Sequence, residues 1–217
     1  MALSQLDDNI VVPPISMRAV WIFSVGLPLI YLLLLPWLST VDPFGTGPYA
    51  SPVTDVSNIS ISAYLNTAPA NAGFALFTAP SVVYLCTNPI TRSSCVANVG
   101  CTLFTIGYIL LVLFPLGYSS PLLHHMGFII SILGFFIAGF GMLLNVNFSL
   151  ALFTIYIFVL ICNLFMLSTI FLPSIIFAIL EYVNAVFVLA FAPLVNTIGR
   201  IGWWVRYMDG TLRLRIA

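Results

Sequence analysis

One acidic side chain, Glu181, lies inside a long apolar segment of this 217-residue chain. A carboxylate in such a segment must be protonated, hydrogen-bonded or next to a wet cavity, because an unpaired buried charge is very costly. Asn184 follows on the same face of a helix, one turn later, and could share a polar pocket with it. Ionisable residues inside a membrane are functional candidates by default.

The other residues that could do chemistry are two histidines and two loop aspartates. His124 and His125 open an apolar segment, and Asp42 and Asp55 lie in a polar loop. Together with Glu181 they could bind a metal or move protons at a lipid head group. They could equally form a structural polar cluster. We find no HExxH, no catalytic serine signature and no third histidine, so we predict neither a metal nor a cofactor. An enzyme is the less expected outcome, with Glu181, His125, His124 and Asp55 as its catalytic candidates.

The composition decides which solvent surrounds these residues. The chain is 61% hydrophobic and only 6% charged, whereas ordinary soluble domains carry about 25% charged residues. The mean hydropathy is +1.15. These values exclude a soluble enzyme, a disordered linker and a nucleic-acid-binding protein, which would need a basic patch. Most of the surface must face lipid.

Apolar segments long enough to cross a bilayer, which takes about 20 residues each, occur six times. The last apolar stretch, 148–192, would be roughly 67 Å long as one helix, so it must fold back, and Pro173 marks the turn. The sequence therefore predicts an all-α, polytopic bundle of six transmembrane helices. The expected spans are Ala19–Leu38, about 71–87, 96–116, 122–144, 148–172 and 173–193.

The arginines predict the orientation of the bundle. With six spans, all the basic residues fall on one side, which the positive-inside rule makes cytoplasmic. They are Arg18, Arg92, Arg200, Arg206, Arg213 and Arg215. We therefore expect a cytoplasmic segment over 1–18, a membrane bundle over 19–193 with a lumenal loop at 39–70, and an interfacial tail over 194–217. Both termini are cytoplasmic in this prediction.

Two features of the loop and tail complete the topology. Asn58 opens an Asn-Ile-Ser glycosylation sequon on the predicted lumenal side, and residues 59–65 alternate as an extended segment laid on the bundle would. The tail combines arginines with tryptophans, which predicts an anchor at the membrane interface; a partner-docking tail is the alternative. The anchor residues are Arg200, Trp203, Trp204 and Arg206.

Small residues recur along one face of the fourth span at intervals of four and three. Such a stripe lets a neighbouring backbone come close. It favours packing inside the bundle, and a homodimer seam is the alternative. The stripe consists of Gly127, Ser131, Gly134, Ala138 and Gly141.

Three short motifs resemble the DRAM/FRAG family, which contains autophagy modulators and a lipid-remodelling factor for GPI anchors. They are the Ile-Ser-Ile-Ser-Ala run at 59–63 followed by 66–69, His125-x-Gly127, and the Phe-Ala-x-x-Glu-Tyr run at 177–182. The resemblance covers about residues 19–193. It implies six spans, a role in membrane lipid handling, and a shared role for Glu181 and His125.

The sequence therefore leaves two candidate functions open. The first is membrane lipid handling in an endomembrane or the plasma membrane, with lipids as partners. The second is a non-catalytic accessory subunit of a large membrane complex, in an organelle inner membrane, with other membrane subunits or a second copy as partners. A channel or transporter finds little support, because no ring of charges and no matched pair of broken helices is visible.

Overall fold

A computed structural model describes residues 16–39, 60–65, 67–92, 94–115, 121–146, 149–169 and 175–208. The side chains of 89, 169 and 199–208 lie outside this description. All regular structure in the described residues is helical, with no strand.

In the described part of the chain, six helices are long and apolar enough to cross a membrane, as the sequence predicts. We call them spans one to six: Met17–Leu38, Ala68–Thr87, Cys95–Leu113, Pro121–Leu144, Leu150–Thr169 and Ile175–Met208. The protein is therefore a multi-pass, all-α membrane protein. We call the end where spans one and two, three and four, and five and six connect the loop end. The opposite end, which carries both chain termini, is the terminal end.

The turn between spans two and three shows how polar side chains end a helix in this protein. Pro89 has no N–H and therefore cannot continue the backbone hydrogen bonds of span two, which ends at Thr87. Asn88 then accepts from the Thr91 N–H (3.1 Å) and donates to the Leu85 carbonyl (2.9 Å). Ser94 begins span three by accepting from the Ala97 N–H at 3.2 Å. These bonds satisfy backbone groups that the helix ends would otherwise leave unpaired.

Spans three and four pack backbone against backbone in antiparallel order. A Cβ built on Gly100 would overlap the backbone of Ala138, and one on Gly134 would overlap that of Phe104. Gly107 faces Ser131 in the same way. The small-residue stripe of span four is thus covered by a helix of the same chain. This arrangement agrees with packing inside the bundle and leaves the stripe unavailable as a seam for a second copy.

Span one contains a π turn at Ile22–Gly26, one turn before Pro28. Proline has no N–H, so Pro28 cannot donate to the carbonyl of Ser24 four residues earlier. The hydroxyl of Ser81 in span two donates to that carbonyl instead, at 2.5 Å. The π turn of span one is therefore hydrogen-bonded to span two.

The sixth helix is longer than the predicted span, which ends at 193. It continues through Pro193 as far as Met208, so its last part belongs to the segment expected to be a separate tail. Pro193 has no N–H to donate to the Leu189 carbonyl four residues earlier, so the helix passes through it with one backbone hydrogen bond missing, which membrane helices tolerate. In the turn that follows, the Thr197 hydroxyl donates to the Pro193 carbonyl at 2.8 Å, and the Asn196 amide donates to that of Ala192 at 3.1 Å.

The segment before span two is also different from the prediction. Residues Ile61–Tyr64 form a single helical turn rather than an extended segment. Ser60 caps it by accepting from the Ala63 N–H at 3.1 Å. Ile61, Ala63 and Leu65 are buried against the bundle, so the apolar alternation correctly marks a segment laid on the helices. We call residues 60–65 the docking turn.

Candidate functional site

Glu181 lies in span six and holds the docking turn against the bundle. Its carboxylate accepts from the Ile61 N–H at 2.6 Å and from the Ser62 N–H at 3.2 Å. The Ser62 hydroxyl donates to it at 2.5 Å. Ile61 and Ser62 are the first residues of the turn, where helix N–H groups lack partners of their own. An acidic side chain at this position also suits the positive end of the backbone dipoles.

Apolar packing adds to this polar attachment. Ile61 and Leu65 belong to a buried cluster with Tyr31 and Leu32 of span one and Leu189 of span six. Tyr31 also donates its hydroxyl proton to the Ala70 carbonyl at the start of span two. The docking turn is therefore joined to spans one, two and six at the loop end.

The two histidines have different surroundings. His124 is 3% exposed, and its Nδ1 lies 2.8 Å from the Phe114 carbonyl oxygen. Because a carbonyl only accepts, Nδ1 carries the proton in this bond, and in a neutral ring Nε2 is then an acceptor. The His125 ring lies edge-on to that of His124, with centroids 5.9 Å apart. His125 is only half-buried.

Glu181 and His124 line one pocket of about 140 Å³ between the spans. Its walls are largely apolar, with side chains from spans one to four and six such as Leu32, Phe74, Leu85, Phe128, Phe135 and Leu189. Ile61, Ser62 and Leu65 of the docking turn also line it. His125 is not among its lining residues, so the structure favours His124 over the histidine that the family resemblance singles out.

Two asparagines pair across this pocket. Asn163 of span five donates its amide to the Asn184 side-chain oxygen at 2.5 Å and to the Val159 carbonyl at 2.8 Å. Asn184 and Asn163 both line the pocket. The sequence points to Asn184 through its spacing from Glu181. It does not point to Asn163, although a lone amide in an apolar span is a signal of the same kind.

The carboxylate, imidazole and amide groups of the pocket lie in the loop-end half of the spans, whereas its hydroxyl groups also lie deeper, with Ser81 about 20 Å from the loop end of span two. At 1.5 Å per residue, Glu181 lies about 9 Å from the start of span six and Asn184 about 14 Å from it. His124 lies about 5 Å from the start of span four. The lining residue Leu85 lies about 26 Å from the loop end of span two, close to the opposite surface. An amphiphile whose polar group is near the loop end would match this distribution.

Several predicted site residues cannot be placed. Asp55 and Asn58 lie outside the described residues, as does Asp42. Arg200, Trp203, Trp204 and Arg206 fall in the helical extension of span six, but their side chains lie outside the description. Within the described part of the chain, no three His, Cys, Asp or Glu side chains lie close enough together to hold a metal ion.

No known protein family, characterised protein or solved structure matches this chain. The resemblance to the DRAM/FRAG family therefore stays a prediction based on its three motifs.

Proposed function

We propose that this membrane protein handles membrane lipid by taking up part of an amphiphilic molecule in the pocket beneath the docking turn. The observation that carries this proposal is the pocket itself, with apolar walls and its polar residues Glu181, His124, Asn163 and Asn184 toward the loop end. Ligand sites typically combine an apolar cleft with a few polar groups that orient the ligand. We propose an endomembrane or the plasma membrane as its location.

Native mass spectrometry after extraction in mild detergent tests this proposal. We expect a particle of one or two copies that retains bound amphiphile. Ala185 lines the pocket, so Ala185→Phe fills much of the space and should remove the bound mass. Ala151 is exposed on span five, and Ala151→Phe is the matched control that should keep it. Equal retention by both variants would contradict the proposal.

We infer as a second function a non-catalytic accessory subunit, because the contacts of Glu181 within the chain argue against a catalytic role for it. Both carboxylate oxygens of Glu181 accept hydrogen bonds from the docking turn, which is the arrangement of a structural anchor and not of a free acid or base. The same mass measurement separates the two functions. A particle built from many different chains, with no amphiphile in this pocket, would support the subunit.

A further inference from the structure

We infer that the ligand of this pocket carries a hydroxyl group that donates a hydrogen bond to the side-chain oxygen of Asn163. This inference rests on the proposed function and names the chemical class of the ligand. The oxygen is buried and has no hydrogen-bond partner among the described residues. Asn163 itself is 1% exposed and lines the pocket. A buried acceptor without a donor costs about 1–3 kcal/mol, so a ligand that supplies the donor gains affinity.

The orientation of the Asn163 amide is set by its neighbours. Its nitrogen faces two acceptors, the Val159 carbonyl and the Asn184 side-chain oxygen. Turning this amide over alone would place its oxygen against both acceptors; turning Asn184 over as well would keep the bond between the two side chains but still leave the Asn163 oxygen facing the Val159 carbonyl. The unpaired atom is therefore an acceptor, and the group it requires is a donor.

The hydroxyl groups of the pocket wall have no spare proton to offer that oxygen. Ser62 donates to Glu181, Ser81 to the Ser24 carbonyl and Ser131 to the Phe128 carbonyl. Thr78 and Tyr108 contact each other and also reach the carbonyls of Phe74 and Ala75. Each hydroxyl has only one proton. Among the described residues of the wall, therefore, no hydroxyl supplies the donor, and a ligand hydroxyl can supply it.

The charges of the wall exclude the commoner lipid head groups. The lining residues include no arginine, whereas phosphate and carboxylate are usually bound by cationic groups. Glu181 would also repel an anion. A cationic amine would have to share a carboxylate that already accepts three hydrogen bonds. A neutral hydroxyl meets neither obstacle, and it can also accept from the Asn184 amide.

The volume limits how much of the ligand enters. The pocket holds about 140 Å³, close to the roughly 150 Å³ of an engineered apolar cavity that binds benzene. It therefore accommodates one ring or a short length of chain next to the hydroxyl. The ligand is the hydroxylated end of an amphiphile such as a sterol or a long-chain alcohol, and not a whole phospholipid.

Photolabelling of the full-length protein in mild detergent tests the inference. The probes are a diazirine analogue of 1-hexanol and its methyl ether, which can accept but not donate a hydrogen bond. Labelling of pocket residues is divided by labelling of the lipid-exposed residue Phe158, which corrects for partitioning into the detergent. We expect the alcohol to label the pocket at least tenfold more strongly than the ether.

Variants add a second comparison. Asn163→Leu should reduce pocket labelling by the alcohol to the level of the ether. Asn98→Leu, at an exposed asparagine of span three, should leave the labelling unchanged. The alcohol and ether comparison on the unmodified protein needs no variant, so it decides the question even if Asn163→Leu does not fold.

The outcomes separate this inference from the proposed function. Equal labelling of the pocket by alcohol and ether, both lost in Ala185→Phe, would overturn the hydroxyl inference and keep the amphiphile pocket. This result would also be obtained if a buried water pairs with Asn163. No pocket labelling by either probe would overturn both.

Discussion

Glu181 shows that an acidic residue, which is energetically unfavourable inside a membrane span, can have a structural role. Glu181 is 7% exposed, and its carboxylate accepts hydrogen bonds from the first N–H groups of the docking turn, which have no partner within the turn itself. A carboxylate inside a membrane span could be expected to act as an acid or base, since intramembrane charges often mark functional sites. Its three hydrogen bonds instead join a loop segment to span six and close one side of the pocket.

Substitutions of Glu181 distinguish an anchor from an acid. In Glu181→Gln the amide oxygen can still accept from Ile61, and the amide nitrogen can donate to the Ser62 hydroxyl. We expect a loss of about 1 kcal/mol in the free energy of unfolding. Glu181→Leu leaves the N–H groups unpaired and should cost about 3 kcal/mol. The measurement is reversible unfolding in mixed detergent micelles, with hydrogen exchange of residues 60–65 as a second readout.

The control is Ser168→Ala. This exposed serine bonds only within its own helix, to the Phe165 carbonyl, and its loss should change stability by less than about 0.5 kcal/mol. A Gln variant as unstable as the Leu variant would show that a single acceptor oxygen, which is all that glutamine offers, does not hold the docking turn.

At the scale of elements, the closest contact of the bundle lies between spans three and four. Lipid chains are as apolar as leucine, so helices in a membrane associate through close packing rather than through the hydrophobic effect. Glycines on both helices allow this approach, with Gly100 against Ala138 and Gly107 against Ser131. These two spans form a rigid wall that carries the pocket residues Phe104, Tyr108 and His124.

Adding one methyl group at this interface should separate the two helices. A Cβ in Gly134→Ala would overlap the backbone of Phe104, which cannot rotate away as a side chain would. We expect a loss of about 3 kcal/mol in the free energy of unfolding, measured in mixed micelles.

Gly26→Ala is the matched control. Its Cβ would meet only the Trp21 carbonyl oxygen, at an ordinary 3.6 Å, and alanine favours helix over glycine by about 1 kcal/mol. Gly26→Ala should therefore be neutral or slightly stabilising. If Gly134→Ala behaved in the same way, the close contact of spans three and four would be refuted.

At the scale of the whole molecule, the even number of spans places both described chain ends at the terminal end of the bundle. Arg18 opens span one and Arg92 lies between spans two and three, so both belong to that end. The helical extension of span six carries Arg200 and Arg206 to the same end. The cytoplasmic position of the terminal end stays a prediction from these arginines.

A native cysteine tests the orientation. Cys95 is exposed at the start of span three, at the terminal end. We expect a membrane-impermeant maleimide to label it only after the membrane is opened, and Cys95→Ser to remove that label. Leu122 is 68% exposed near the loop end of span four, so Leu122→Cys in the Cys95→Ser background should be labelled in sealed cells or inverted organelle vesicles. Labelling of Cys95 from the same side as Leu122→Cys would contradict six spans.

The sequence by itself determined the membrane class, the number of spans and most helix ends. These depend on local properties, namely hydropathy summed over some 20 residues and a proline such as Pro173 between two apolar runs. The continuation of span six past Pro193 escaped prediction because proline usually ends a helix, whereas this helix passes through it with one backbone hydrogen bond missing. Only the tertiary structure decided what Glu181 binds, which histidine lines the pocket, and that Asn163 faces Asn184. These contacts depend on the rotation and register of each helix, which are set by packing between residues far apart in the chain, such as Gly134 against Phe104.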